Sequence, residues 1–275
     1  MGKEYDNIMG RDEKEAHRLD KQFKAITTNI GYLVHPTAAL GRTARVADVA
    51  TGTAMFLTSL STEYPEASLF GYDISPALFP PNGVPKNVQL DILDIKKPIP
   101  DNLRGTFDFV HIRLLIAAVE PSEWPSVVSN TASLLKPGGK LQWEEIDFFT
   151  SNYLRSKPQS TTNTAQKCLF KMTKNVDRFR AGFNTLAENM EKAGLGEVIT
   201  DLVSNDRVPE TRESLARNGI EVIMGFHGRM HEIGAPGAWS RAELEELEKG
   251  FEKDLESGAY VRYDIHIAIG TKPLA

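Results

Sequence analysis

The chain has 275 residues, 41% of them hydrophobic and 25% charged, enough for one sizeable α/β core with insertions. Its formal net charge is −5 and no basic patch is dense enough to track phosphates, which argues against a nucleic-acid partner. One cysteine, Cys168, excludes an intrachain disulfide and a cysteine-built zinc cage, and fits a reducing compartment.

The first residues are charged, without an apolar leader core, and no stretch is long and apolar enough to span a bilayer. The expected location is the cytoplasm, with no membrane partner. Residues 1–10 are polar and expected to fray. Residues 11–31 set Ala16, Leu19, Phe23, Ile26 and Ile30 three and four apart. That spacing predicts a helix packed on the core, able to close over a ligand site.

Residues 45–49 (RVADV) form a short β-branched run that reads as a buried parallel strand. Asp48 interrupts it near its carboxyl end, where packing alone would favour another valine. The small-residue turn Ala50-Thr51-Gly52-Thr53-Ala54 follows, and then a helical run from Met55 to Leu60. Strand, small turn and helix make the opening unit of a nucleotide-binding α/β fold. The turn admits a ligand to the backbone, and the helix N-terminus presents free N–H groups.

Pro65 stops this helix, and residues 67–72 read as a second strand ending in Asp73. An acid there suits a ribose, because two vicinal hydroxyls donate to one carboxylate. Ile74 beside it is placed to cover an adenine face. Residues 76–85 (PALFPPNGVP) predict a rigid, non-helical loop. Residues 88–93 alternate into a third strand, followed by Asp94, an acceptor for an exocyclic amine; Asp91, within the strand, is the weaker candidate.

A fourth strand is expected over 106–112 (TFDFVHI), and a helix over 124–135, closed by the αβ turn Lys136-Pro137-Gly138-Gly139. A fifth strand follows over 140–146. Beyond Phe149 the alternation lapses, and 161–193 reads as predominantly helical. A sixth strand is expected over 196–204 and helices over 211–230 and 240–256, the latter with a serine N-cap. Residues 260–270 (YVRYDIHIAIG) complete the pattern as one alternating strand. His227 and His231 have i, i+4 spacing but no third ligand nearby, so no metal is expected.

In this order the features resemble the class I S-adenosylmethionine-dependent methyltransferases, and within them the fungal methyltransferases of secondary-metabolite gene clusters. The narrower resemblance rests on Arg18-Leu19-Asp20-Lys21-Gln22, Gly71-Tyr72-Asp73-Ile74-Ser75-Pro76 and Phe107-Asp108-Phe109-Val110-His111-Ile112-Arg113. It also rests on Leu135-Lys136-Pro137-Gly138-Gly139-Lys140 and the terminal Gly270-Thr271-Lys272-Pro273.

The resemblance implies a Rossmann-like α/β fold: a seven-stranded, mostly parallel sheet, helices on both faces, an antiparallel last strand and helical cap insertions. The implied organisation is a single domain, with an N-terminal helical cap (1–40), a cofactor-binding core (44–150), a second cap (151–195) and a C-terminal part with a helical insertion (196–275). Of the apolar positions in 161–193, Phe170, Met172, Phe179, Phe183, Leu186 and Met190, most are expected in the core and some are able to line a hydrophobic substrate chamber.

The implied cofactor is S-adenosyl-L-methionine. Asp48 and Gly52, with Ala50, would flank its methionine part, Asp73 the ribose, Ile74 the adenine face and Asp94, with Ile95, the adenine amine. His111 and Ile112 would sit by the methionine moiety, and Gln22 belongs to the same set. Two departures stand out. The family usually has glycine at Ala50 and often at Ala54; alanine is expected only with negative φ, which sets the loop farther from the ligand. Phe23 stands where the family often has histidine. A nicotinamide dinucleotide, the rival ligand, would need a G-x-G-x-x-G turn, which the alanines deny.

Methyl transfer from a sulfonium requires alignment of the nucleophile and exclusion of water. His111 is the expected general base for a hydroxyl acceptor, its other reading being a structural bond beside Arg113. Burial and Arg113 are expected to lower its pKa, against Asp48 or Asp94. Of Glu144 and Glu145, one is expected to face the acceptor and the other solvent. The expected reaction is O-, N- or S-methylation of a small apolar molecule. A cofactor-retaining cyclase or isomerase and a non-catalytic regulator are the alternatives, and oligomeric state is left open.

Overall fold

A computed structural model describes residues 10–174 and 176–274; of the expected frayed start, residues 1–9 lie outside the described residues. The chain divides into two compact units. One gathers Met1–Asn29, Asp147–Arg180 and Ser204–Asp264; the other gathers Ile30–Ile146, Ala181–Val203 and Ile265–Ala275.

The second unit is built on a seven-stranded sheet. Its strands are β1 (Arg45–Val49), β2 (Ser68–Asp73), β3 (Val88–Ile92), β4 (Phe107–Arg113), β5 (Leu135–Ile146), β7 (Gly196–Ser204) and β9 (Asp264–Thr271), in the order β3-β2-β1-β4-β5-β9-β7. The pairings from β3 through β5 are parallel, and β9 runs antiparallel to β5. This is the Rossmann-like, mostly parallel sheet with an antiparallel late strand. Strand order reverses between β1 and β4, and such sheets take ligands at that switch point, beyond the carboxyl ends of the strands.

Alternation along these strands sends Asp48, Gly71, His111, Arg113, Gln142 and Glu144 to one face, and Ile112, Trp143 and Glu145 to the other. Helix α2 (Met55–Glu63) covers the first face with Phe56, Leu57 and Leu60. Helix α3 (Trp124–Ser133) lies on the second, its Trp124 ring 5.5 Å from that of Trp143. Gly71 allows α2 to lie close: a Cβ there would come within 2.5 Å of Leu90 Cδ2 and 3.0 Å of Leu57 Cδ1.

Three expected boundaries are corrected. Lys136-Pro137-Gly138-Gly139 is strand, not an αβ turn. Helix α3 stops at Ser133, Leu135 pairs with Phe107, and Gly138 and Gly139 exchange backbone hydrogen bonds with Lys272 at 2.8 Å. The 161–193 helix is broken, into α4 (Asn163–Lys174), a 3-10 turn (Asp177–Arg180) and α5 (Leu186–Lys192). Gly182 takes φ +105°, a conformation no helix contains. The 260–270 strand is two strands in two sheets. Asn205 clamps Tyr263, its side chain accepting from the Tyr263 N–H at 2.8 Å and its own N–H donating to the Tyr263 carbonyl at 3.1 Å. Residues before the clamp form β8 (Ala259–Arg262), and those after it β9.

The first unit carries α1 (Glu13–Ile30, all but its last residue), the β6–β8 pair (β6, Asn152–Arg155), α4, α6 (Arg212–Glu232) and α7 (Arg241–Glu256). Ser240 caps α7 in a capping box with Glu243. Among the described residues no helix is long and apolar enough to cross a membrane.

Candidate functional site

The turn after β1 carries three left-handed residues in five: Ala50 (φ 58°), Gly52 (52°) and Ala54 (56°). The expectation of negative φ at the alanines is therefore corrected. The Thr51 N–H donates to the Tyr72 carbonyl at 3.0 Å and the Gly52 N–H to Asp73 Oδ2 at 3.0 Å, and these bonds hold the turn against the end of β2. An L-residue in this region costs about 1 kcal/mol, strain that the surrounding bonds sustain. Helix α2 starts directly from the turn, at Ala54, without a side-chain cap.

Asp73 ends β2 half-buried; its Oδ1 accepts from the Ser75 N–H at 3.2 Å. Two apolar side chains stand out to solvent beside it, Ile74 at 54% exposure and Ile92, its register partner across to β3, at 58%. Asp94 accepts from the Lys96 N–H at 3.1 Å and pairs with Lys97 Nζ at 3.3 Å, while Ile95 is buried. Asp73, Ile74 and Asp94 thus follow the carboxyl ends of neighbouring strands, as expected.

Behind the turn lies a buried polar chain. Asp48 Oδ2 accepts from the Thr51 hydroxyl at 2.6 Å, and Asp48 Oδ1 lies 2.7 Å from His111 Nδ1. The His111 ring is 1% exposed and stacks on Phe56 with centroids 3.8 Å apart. Among the described residues its Nε2 makes no hydrogen bond within 3.5 Å, and it lies 3.6 Å from Glu144 Oε1. Glu144 accepts from Arg113 Nε at 2.5 Å and from Gln142 Nε2 at 2.7 Å. The Gln142 amide also donates to the Leu33 carbonyl and accepts from the His35 N–H.

Burial alone would lower the His111 pKa, but hydrogen bonds and charge from Asp48 and Glu144 outweigh it and raise the value. The expected depression is corrected, because a second carboxylate faces the ring. Burial would raise Glu144; the Arg113 guanidinium and the His111 contact instead hold it at about 2. Neither glutamate faces solvent, against expectation: both are fully buried. Glu145 accepts from Trp143 Nε1 and the Leu115 N–H, both at 2.8 Å, and from the Ile116 N–H at 3.2 Å. Burial pushes it up to about 7.

Ile112 is fully buried on the opposite face from His111. Gln22 belongs to the other unit, where its amide donates to Asn218 Oδ1 at 3.1 Å. The His227 Nε2–H donates to the Cys168 carbonyl, 2.9 Å away, and burial lowers the ring's pKa to about 4; His231 is exposed. Among the described residues no group of three or more His, Cys, Asp or Glu is placed to hold a metal ion. Sequence reasoning missed Thr51, Phe56 and Gln142. The signal was there for one of them: Gln142 and Glu144 are two apart on a strand and so share a face with His111.

The model for a methyltransferase domain matches residues 16–195. The chain belongs to that family of methyltransferase domains. It is similar to the methyltransferase grgD of a Penicillium species, 35% identical over 144 residues that cover 49% of this chain and 50% of that protein. It is also similar to the N-methyltransferase sirN of Leptosphaeria maculans, 29% identical over 272 residues, 94% of this chain and 92% of that protein. Among solved structures it shares its fold with the Haemonchus contortus phosphoethanolamine N-methyltransferase 2 in complex with phosphomonomethylethanolamine and S-adenosylhomocysteine. That match has a TM-score of 0.51 and 15% identity, over 90% of this chain and 52% of that one.

Proposed function

We propose that this chain transfers a methyl group from S-adenosylmethionine to an oxygen, nitrogen or sulfur of a small apolar molecule of fungal secondary metabolism. The observation that carries the reading is the Asp73 carboxylate at the tip of β2, bonded to the Gly52 N–H of a left-handed turn and flanked by exposed Ile74. A carboxylate there suits a ribose diol, the apolar side chain suits the adenine face, and the uncapped α2 leaves N–H groups toward the ligand. The acids around the turn suit a cation better than a pyrophosphate. Family membership and the names of the fungal relatives support the same reading.

When bound, S-adenosylmethionine supplies a methyl group already activated on a sulfonium. Asp73 and Asp94 would hold the nucleoside, and the turn 50–54 would back the methionine part. Asp48 fixes the His111 ring through Nδ1, so Nε2, buried 3.6 Å from Glu144, would be the nitrogen to take a proton once an acceptor reaches it.

Incubation with S-adenosylmethionine and fungal metabolites bearing hydroxyl, amine or thiol groups should yield S-adenosylhomocysteine and an acceptor heavier by one methylene. Cofactor bound but never converted, across all three acceptor classes, would refute the transferase reading.

A further inference from the structure

The inference deepens the proposed function and rests on it. Four ionisable groups meet on the first face of the sheet: Asp48 from β1, His111 and Arg113 from β4, and Glu144 from β5. Phe56 from α2 closes the ring's open side and brings no charge. Glu144 and Arg113 cancel, and His111 balances Asp48 only while it is protonated. The cluster therefore has two states, neutral with imidazolium and singly negative with imidazole. Asp48 is also the anchor of Thr51, the residue before Gly52, so this switchable charge lies directly behind the turn that, on the proposed function, would face the cofactor's methionine part.

S-adenosylmethionine and S-adenosylhomocysteine have the same nucleoside and amino-acid groups. They differ in one methyl and one charge: the donor's sulfur is cationic, and the product's is neutral. We propose that His111 releases its proton to solvent when the cationic donor binds and keeps it when the neutral product binds, so the cluster favours donor over product. The bond broken is the ring N–H, and the proton passes to buffer. No other group changes state. By linkage, whatever makes donor binding expel the proton also makes loss of the proton strengthen donor binding. The geometry supports this: the ring lies between the Asp48 and Glu144 carboxylates, 2.7 and 3.6 Å from its two nitrogens, and their bonds and charge raise its pKa from the ordinary value. The donor's charge thereby leaves His111 in its basic form.

The test is calorimetric titration of the whole chain with each ligand from pH 6 to 9, in phosphate and in Tris, whose ionisation enthalpies differ. The expected result is proton release with S-adenosylmethionine and little with S-adenosylhomocysteine. The ratio of their affinities should move toward the donor by about three- to tenfold across the range, the order expected for one screened unit charge nearby. In His111→Gln the ratio should be flat and the difference in proton release gone.

Should His111→Gln not fold, proton NMR of the wild type carries the test, with the ring assigned through its contact with Phe56. Its midpoint should drop with donor and hold with product. A pH-independent ratio, equal proton release for both ligands, or a ratio that persists in folded His111→Gln would overturn the inference. Failure of either ligand to bind at any pH would instead overturn the cofactor reading on which it rests.

Discussion

Glu144 and Glu145 are consecutive on β5, both fully buried, and they face opposite sides of the same sheet. One is held at about 2 and the other pushed to about 7. Burial acts alike on both, so the difference lies in what replaces the lost water. On the first face Glu144 meets a full charge, the Arg113 guanidinium, together with the His111 ring and the Gln142 amide. On the second, the donors to Glu145 among the described residues are neutral, the Trp143 indole and the Leu115 and Ile116 N–H groups, and the like charge of Glu144 adds to the cost. Neutral dipoles orient a carboxyl, but here they do not offset the cost of ionising it away from water. The first face is thus built to carry charge beside the candidate cofactor turn. The second is built to hold the segment after β4, where Leu114 takes φ +58°.

Removing the charge from the first face should have the largest effect. Glu144→Gln keeps the shape and the Gln142 bond but removes the buried carboxylate that pairs with Arg113 and faces His111, and should cost about 3–5 kcal/mol in urea unfolding at pH 7. In the wild type, the Glu144 contribution is present above about pH 4.5 and lost as pH falls toward 2, because its folded value lies below its unfolded one. A loss under 1 kcal/mol would mean that the pair is not charged.

On the second face the sign inverts. Between 4.5 and about 7 the folded chain keeps a proton on Glu145 that the unfolded chain has released, so stability should fall as pH rises through that window. The fall attributable to this group is about 3 kcal/mol. Glu145→Gln, which copies the protonated shape, should flatten the pH 5–8 profile. An unchanged slope would show that Glu145 ionises normally.

The smallest effect belongs to the turn. Ala50→Gly should stabilise the chain by about 1 kcal/mol or less, since glycine adopts φ +58° without strain but is freer when unfolded. Loss of stability in that variant would place Ala50 outside the left-handed region.

The strands from 45 to 146 were legible because each carries its apolar run, and the acids Asp73 and Asp94 were legible because they end those runs. Pro137-Gly138-Gly139 misled for a local reason: its sequence suits a turn, while its pairing is set by Lys272, far along the chain. The break at Tyr263 was equally non-local, since alternation runs through it undisturbed and only Asn205 interrupts the ladder. The directions of the His111, Glu144 and Glu145 pKa shifts depended on which strand neighbours which. The strand order β1-β4-β5 is a tertiary fact, and it alone brings Asp48 and Glu144 to either side of one ring.

The central claim is that the first face and its turn hold S-adenosylmethionine through Asp73. Calorimetric titration of the donor into wild type and Asp73→Ala, both checked for folding by circular dichroism, tests it most directly. Saturable binding to the wild type is expected, with a loss of about 1–3 kcal/mol in the variant, the range for removing charge-assisted hydrogen bonds. Equal affinity in a folded Asp73→Ala, or no binding to the wild type, would contradict the account.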